Sequence, residues 1–356
     1  MRYSRLGRTQ LQVSTIGFGC WGIGGTSWIG AQADTSLRAL KEARDLGINF
    51  FDTALVYGHG HSECLLAQAF GCSKDVVIAT KVPPKNRKWP APAGVPLSEA
   101  FPKQHVQECL RRSLQNLKRE YVDLLQYHVW SDEWADDPEW LETVMGLQRS
   151  GLVRFVGISI NDHQPENGLR ALRTGLIDCV QVIYNIFDQS AQDNLFPYCM
   201  QHDIGVIARA PFDEGSLAAR IRPETVFPDG DFRNYYFAGN RKATVWERVQ
   251  EITRDMGIDV EELPQLALEF CLSHRAVSSA VPGMRTVEHV RGNAAAGSGE
   301  LLSDEAIKIL QRHRWARNFY SPSPTMVARL IQAVGRFGVP SRNKLLSPIQ
   351  TKHNLL

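Results

Sequence analysis

Eight short apolar, β-branched runs recur along most of this chain, and amphipathic stretches separate them. The runs are Thr15–Cys20, Asn49–Thr53, Val76–Val82, Val122–His128, Val153–Ile160, Cys179–Tyr184, Gly205–Ala210 and Ser278–Val281. Near-continuous apolar character marks strands covered on both faces, as in a parallel sheet. Between them, Leu37, Leu40, Ala43 and Leu46 keep helical spacing over Asp34–Leu46. Val106, Leu110, Leu114 and Leu117 do the same over Gln104–Leu117. Gly47 and Gly151 stand where helix C-caps belong. Eight βα units predict a (β/α)8 barrel or a doubly wound sheet. The first strand leads into no GxGxxG turn, which favours the barrel.

The chain's 356 residues suit one such barrel with insertions. A barrel over 1–313 and a C-terminal extension over 314–356 account for the whole. Three segments lie outside the repeating unit. Residues 1–14 are expected to form a hairpin. Residues 212–261 form a long connection after the seventh strand, with a helix near Lys242–Asp255. The extension carries Pro322, Pro324, Pro340 and Pro348 and one helical stretch at Thr325–Phe337, and is expected to cover the rim or pack outside the barrel.

Net charge is +2, which gives no electrostatic case for nucleic acid or an anionic membrane. No run of apolar residues is long enough to span a bilayer, and no signal peptide follows Met1. Seven cysteines without CxxC spacing fit scattered reduced thiols and a cytoplasmic setting.

Ionisable residues end consecutive strands. Asp52 ends the second, Tyr57 follows in its loop, Lys81 closes the third and His128 the fourth. In a barrel these ends share one rim, where active sites are built. A charge ending an apolar strand needs a partner, and Asp52 and Lys81 supply one another. The residue types suit carbonyl reduction. A tyrosine can protonate the developing alkoxide, and a neighbouring ammonium is expected to lower its pKa. A histidine can orient the substrate oxygen. Taken singly, each has an ordinary structural explanation: an ion pair, a packed ring, a satisfied polar group. His59-Gly60-His61 has the look of a metal pair but lacks a third ligand, and Ser62 is expected to cap a helix with Glu63 in its first turn.

These residues resemble the aldo-keto reductase family over roughly 3–312. The resemblance rests on Phe51-Asp52-Thr53-Ala54, Tyr57-Gly58, Ser62-Glu63, Ala79-Thr80-Lys81, Val122-Asp123-Leu124 with His128, Gly157-Ile158-Ser159, Gln181 with Tyr184-Asn185, and Pro282-Gly283 with Asn293. It implies a catalytic tetrad of Asp52, Tyr57, Lys81 and His128, with Tyr57 as general acid in reduction and general base in oxidation. It also implies a nicotinamide cofactor across the rim, NADPH in preference to NADH. Ser159 and Gln181 match the residues that hold the nicotinamide amide. Ile160 stands where the family usually has Asn, and Asn161 is the candidate substitute. Arg209 replaces an aromatic that stacks on the ring; it can stack in turn, or pair with Asp213 or Glu214. Pro211, Phe212, Gly215, Ser216 and Leu217 form the expected pyrophosphate loop. Pro282, Gly283, Arg285, Thr286, His289 and Asn293 form the adenosine end, with Arg285 facing a 2′-phosphate and Gly283 where many relatives have Lys.

Trp21, Trp28, Trp89, Trp130 and Trp134 fall in rim loops. Trp21, Trp28 and Trp130 are the candidate substrate walls, suited to a sugar or cyclic carbonyl. Cys20 beside them is either redox-sensitive or a small packing residue. The expected function is NADPH-dependent transfer of hydride to a small aldehyde, ketone or sugar. The alternatives are an NAD-linked sugar dehydrogenase and, from another class, a cofactor-binding regulatory subunit.

Overall fold

A computed structural model describes residues 1–315 and 317–320. Two antiparallel strands, β1 (Tyr3–Arg5) and β2 (Gln12–Ser14), form the hairpin expected at the N-terminus. Eight parallel strands follow: β3 (Phe18–Gly19), β4 (Phe50–Asp52), β5 (Val77–Val82), β6 (Val122–Tyr127), β7 (Val153–Ser159), β8 (Cys179–Ile183), β9 (Gly205–Arg209) and β10 (Ser279–Ala280). They pair in chain order from β3 to β10. Bridges from Ile16 to Ala280 and from Gly19 to Gly283 join the two ends. The sheet is therefore the closed barrel expected from the repeating units. Its first and last strands are shorter than the apolar runs that signalled them, because single bridges take over where the barrel closes.

Side chains alternate faces along each strand, and this sorts the core. Phe51, Ile78, Leu125, Val180 and Val206 pack outward under the helices. Phe50, Val77, Ala79, Leu124, Cys179 and Ile207 point inward and form an apolar floor with Phe155. The hairpin seals that floor with Leu6, Leu11 and Val13. Gly7 makes this possible: at φ +51, a Cβ there would lie 2.2 Å from the Gly205 nitrogen. Further up the same inward face, the apolar floor gives way to Asp52, Lys81, Gln126, Ser159, Gln181 and Arg209. Strand periodicity thus carries polar groups to one end of the barrel.

The expected helices are present as Ala33–Asp45, Lys103–Leu117 and Arg241–Met256. The compact unit runs from Met1 to Tyr320. The helical stretch expected at Thr325–Phe337 lies outside the described residues. Among those described, no helix is long and apolar enough to cross a membrane.

Candidate active site

Asp52 anchors the polar rim. Lys81 Nζ donates to its Oδ2 at 2.6 Å and to the Thr53 carbonyl at 2.9 Å. The Lys81 side chain is fully buried and that of Asp52 is 6% exposed, so the pair expected from sequence is a desolvated one. Its geometry is completed by two amides, Gln126, which the sequence did not single out, and Gln181, which was expected to serve the cofactor. Gln126 Nε2 and Gln181 Nε2 donate to Asp52 Oδ1 at 3.2 and 2.8 Å. Gln181, expected to hold a nicotinamide amide, is thus directed at the carboxylate.

Tyr57 opens the turn Tyr57–Gly60 after β4. Gly58 adopts φ +62, and a Cβ there would lie 2.2 Å from the Gly24 carbonyl oxygen, so the β3 and β4 loops meet only because it is glycine. This presses the half-buried Tyr57 ring over the pair, with Lys81 Nζ 5.2 Å from its centroid. The His128 ring meets it edge-on at 5.6 Å. All four residues of the implied tetrad therefore converge. Ser62 does not cap the next helix. Gly60 does, at φ +97. Ser62 instead donates to the Cys20 carbonyl and shares a hydrogen bond with Thr53. Glu63 is buried against Thr80 and Asn116, and burial raises its pKa.

The electrostatics correct one expectation. Burial pushes the Tyr57 phenol well above its usual range, Asp52 adds to the rise, and Arg209 opposes it. The anticipated lowering by Lys81 does not prevail, because burial and the Asp52 charge outweigh it. Burial lowers Lys81 itself, against the support of Asp52. His128 is held well below its usual pKa by burial and by the Lys81 and Arg209 charges, so its imidazole is neutral. Its Nδ1 is buried without a hydrogen-bond partner among the described residues. The arrangement offers a protonated phenol beside a neutral imidazole, over a buried ion pair.

Aromatic rings wall the approach. Trp21 stacks on Tyr57 at 6.3 Å and also touches Trp28 and Phe232 at 5.9 and 5.3 Å. Trp130 is a correction. It is completely buried, packed on Tyr127, Trp134 and Trp140, with its indole N–H donated to Asp132, so it belongs to the core. Trp89, 42% exposed, takes the place next to His128 at 5.9 Å. Cys20 is fully buried, which favours its packing role. The described start of the extension reaches this rim: Arg317 pairs with Asp213, and the Tyr320 hydroxyl donates to Glu214 at 2.6 Å.

The expected cofactor residues divide. Ser159 ends β7 opposite Gln181. Asn161 is turned away, its amide clasping the Ala91 backbone at 3.1 Å through both oxygen and nitrogen and donating to Gln164. Arg209 pairs with Asp162 at 2.6 Å and donates to the Ile160 carbonyl, instead of meeting Asp213 or Glu214. After it, Pro211 and Phe212 enter a tight turn. There Gly215 and Leu217 donate their N–H groups to the Phe212 carbonyl, and Ser216 binds Asp213. These amides are already engaged, which narrows the pyrophosphate-binding set expected there. At the other end, Pro282 accepts from Gly19, and Gly283 faces open space. Thr286 caps the helix Val287–Ala296 through the His289 N–H, and Arg285 N–H points to His289 Nδ1. The Arg285 guanidinium donates to the Ile29 carbonyl at 3.0 Å, and Asn293 is mostly buried on the helix. Open surface, a helix N-terminus and a guanidinium fit the phosphate-bearing end of a dinucleotide. Among the described residues no His, Cys, Asp and Glu group could hold a metal ion, His59 and His61 included.

Comparison with known proteins places the chain in a family. The uncharacterized oxidoreductase YqkF of Bacillus subtilis is 28% identical over 321 residues, 88% of this chain and 96% of its own length. The NADH-specific methylglyoxal reductase of Escherichia coli is 28% identical over 323 residues, 83% of this chain and 93% of its own. The aldo-keto reductase of Klebsiella pneumoniae, solved in complex with NADPH, superposes with a TM-score of 0.64 at 25% identity, covering 91% of this chain and 99% of its own. A model of the Aldo/keto reductase family matches residues 15–314. That match begins where the barrel begins and ends after its last helix, and the chain belongs to the aldo/keto reductase family as an NAD(P)H-dependent oxidoreductase.

Proposed function

We propose that the protein uses NADPH to reduce a small aldehyde, ketone or sugar carbonyl, with Tyr57 delivering the proton. The observation that carries this reading is the protonated Tyr57 phenol set edge-on to a neutral His128 whose buried Nδ1 has no partner. The bound cofactor supplies hydride to the carbonyl carbon. His128 donates a hydrogen bond to the carbonyl oxygen and fixes its direction. Tyr57 gives that oxygen its proton, and the Lys81 ammonium beside the ring stabilises the phenolate left behind. Asp52 keeps Lys81 in place. In the reverse direction the same phenolate accepts the proton.

The aromatic approach of Trp21, Trp28 and Phe232 supports a substrate with a flat or ring-shaped apolar face. Arg285 and the helix behind it support NADPH. A second reading, with NADH as cofactor in an oxidative sugar dehydrogenase, is favoured by Gly283, which offers no side chain to a 2′-phosphate. The NADH-specific relative favours the same cofactor. Fluorescence titration with NADPH and with NADH, followed by a carbonyl panel, separates them. Tighter NADPH binding with turnover of an aldehyde or sugar supports the first. Tighter NADH binding favours the second, and binding of neither contradicts both.

A further inference from the structure

Gln126 lies two residues before His128 on the inward face of β6, one layer below the imidazole. It is fully buried, as few uncharged amides are without a reason. Its Nε2 reaches Asp52 Oδ1 at 3.2 Å, across two strands. Its Oε1 is buried with no partner among the described residues, so only the donor half of the amide is used. An amide in this orientation is fixed by the carboxylate it serves, because the reverse orientation would set two oxygens against each other. Space for it comes from the neighbouring strand: Gln126 pairs in register with Gly157, where a Cβ would lie 3.2 Å from Gln126 Cγ. A glycine therefore lets the long side chain turn toward Asp52.

We propose that Gln126 is a positioning residue, which holds the Asp52 carboxylate so that Oδ2 stays on Lys81 and keeps the lysine charged under Tyr57. Gln181 reaches the same Oδ1 from the middle of β8. Gln126 is the amide of the two with no expected cofactor role, and its hold on Asp52 does not depend on what else Gln181 contacts. Lys81 faces Asp52, Tyr57, His128, Cys20 and Arg209. Among these, burial and Arg209 work against its charge, while Asp52 and Cys20 support it. Loosening Asp52 removes the largest support. The ammonium then loses its proton at lower pH, and the phenolate formed at Tyr57 loses its stabiliser.

This inference rests on the proposed role of Tyr57, and the experiment keeps the two apart. The kcat–pH profile is measured for the wild type, Tyr57→Phe and Gln126→Met, with the NADPH dissociation constant and thermal midpoint of each. In Gln126→Met the basic limb is expected to move down by about one pH unit, roughly what a hydrogen bond to a charged group is worth. kcat at neutral pH should fall about tenfold with NADPH binding unchanged. Gln126→Leu, which also lacks the donor, should behave alike and serves if Gln126→Met folds poorly. A lowered thermal midpoint with an unmoved basic limb would overturn the inference, leaving Gln126 a packing residue. Full activity in Tyr57→Phe would overturn the underlying reading instead.

Discussion

Replacing Lys81 with Met removes one half of a buried ion pair and leaves the other half in place. Lys81 is fully buried and Asp52 is 6% exposed, so the orphaned carboxylate has little recourse to water. Breaking such a pair costs about 3–5 kcal/mol. Asp52 keeps the Gln126 and Gln181 donors on Oδ1, each worth about 1.5–3 kcal/mol to a charged acceptor, so the expected loss lies at the low end, about 3 kcal/mol. The Thr53 carbonyl also loses its donor. The double variant Lys81→Met/Asp52→Asn removes the stranded charge and should recover about 2 kcal/mol of the loss, a coupling typical of residues in contact. Urea denaturation at pH 7 without added nucleotide measures this, since ligand binding would mask it. A cost below about 1 kcal/mol, or a double variant no more stable than Lys81→Met, would show that the pair is not desolvated in the way described.

Burial raises the Glu214 pKa from 4.5 to about 7, despite the Tyr320 hydroxyl and the Arg209 charge. The folded protein therefore binds more protons than the unfolded chain between those values, and stability falls as pH rises through that window. The loss attributable to this group is about 3 kcal/mol, and Glu214→Gln should flatten the decline in urea midpoint between pH 5 and 8. An unchanged slope would contradict the assignment. Arg285→Ala should weaken NADPH more than NADH in a fluorescence titration. Equal weakening of both would mean that Arg285 does not face a 2′-phosphate.

The barrel was legible because parallel strands buried on both faces leave continuous apolar runs, and because the polar residues ending them break those runs at one level. Asp52, Lys81 and His128 stood out for that reason. Gln126 did not: an uncharged amide two residues before His128 gives no signal until the inward face of β6 is known. Trp130 was misplaced because a tryptophan in a rim loop can face either the opening or the neighbouring helices, and Trp134 and Trp140 drew it inward. Asn161 lost its expected contact to a partner 70 residues away in sequence, the Ala91 backbone, which no local pattern announces. The direction of the Tyr57 shift was misjudged because residue types reveal the neighbouring charges but not the depth of burial, and here depth prevails. Ser62 satisfied the sequence preference for a helix cap, yet the left-handed conformation at Gly60 took that place.

The most direct test of the central claim is Tyr57→Phe, assayed by NADPH binding and by turnover of the best carbonyl substrate. Binding should stay nearly intact while turnover falls about 10²–10⁴-fold, because only the proton donor is removed. Full turnover in that variant would show that Tyr57 does not deliver the proton.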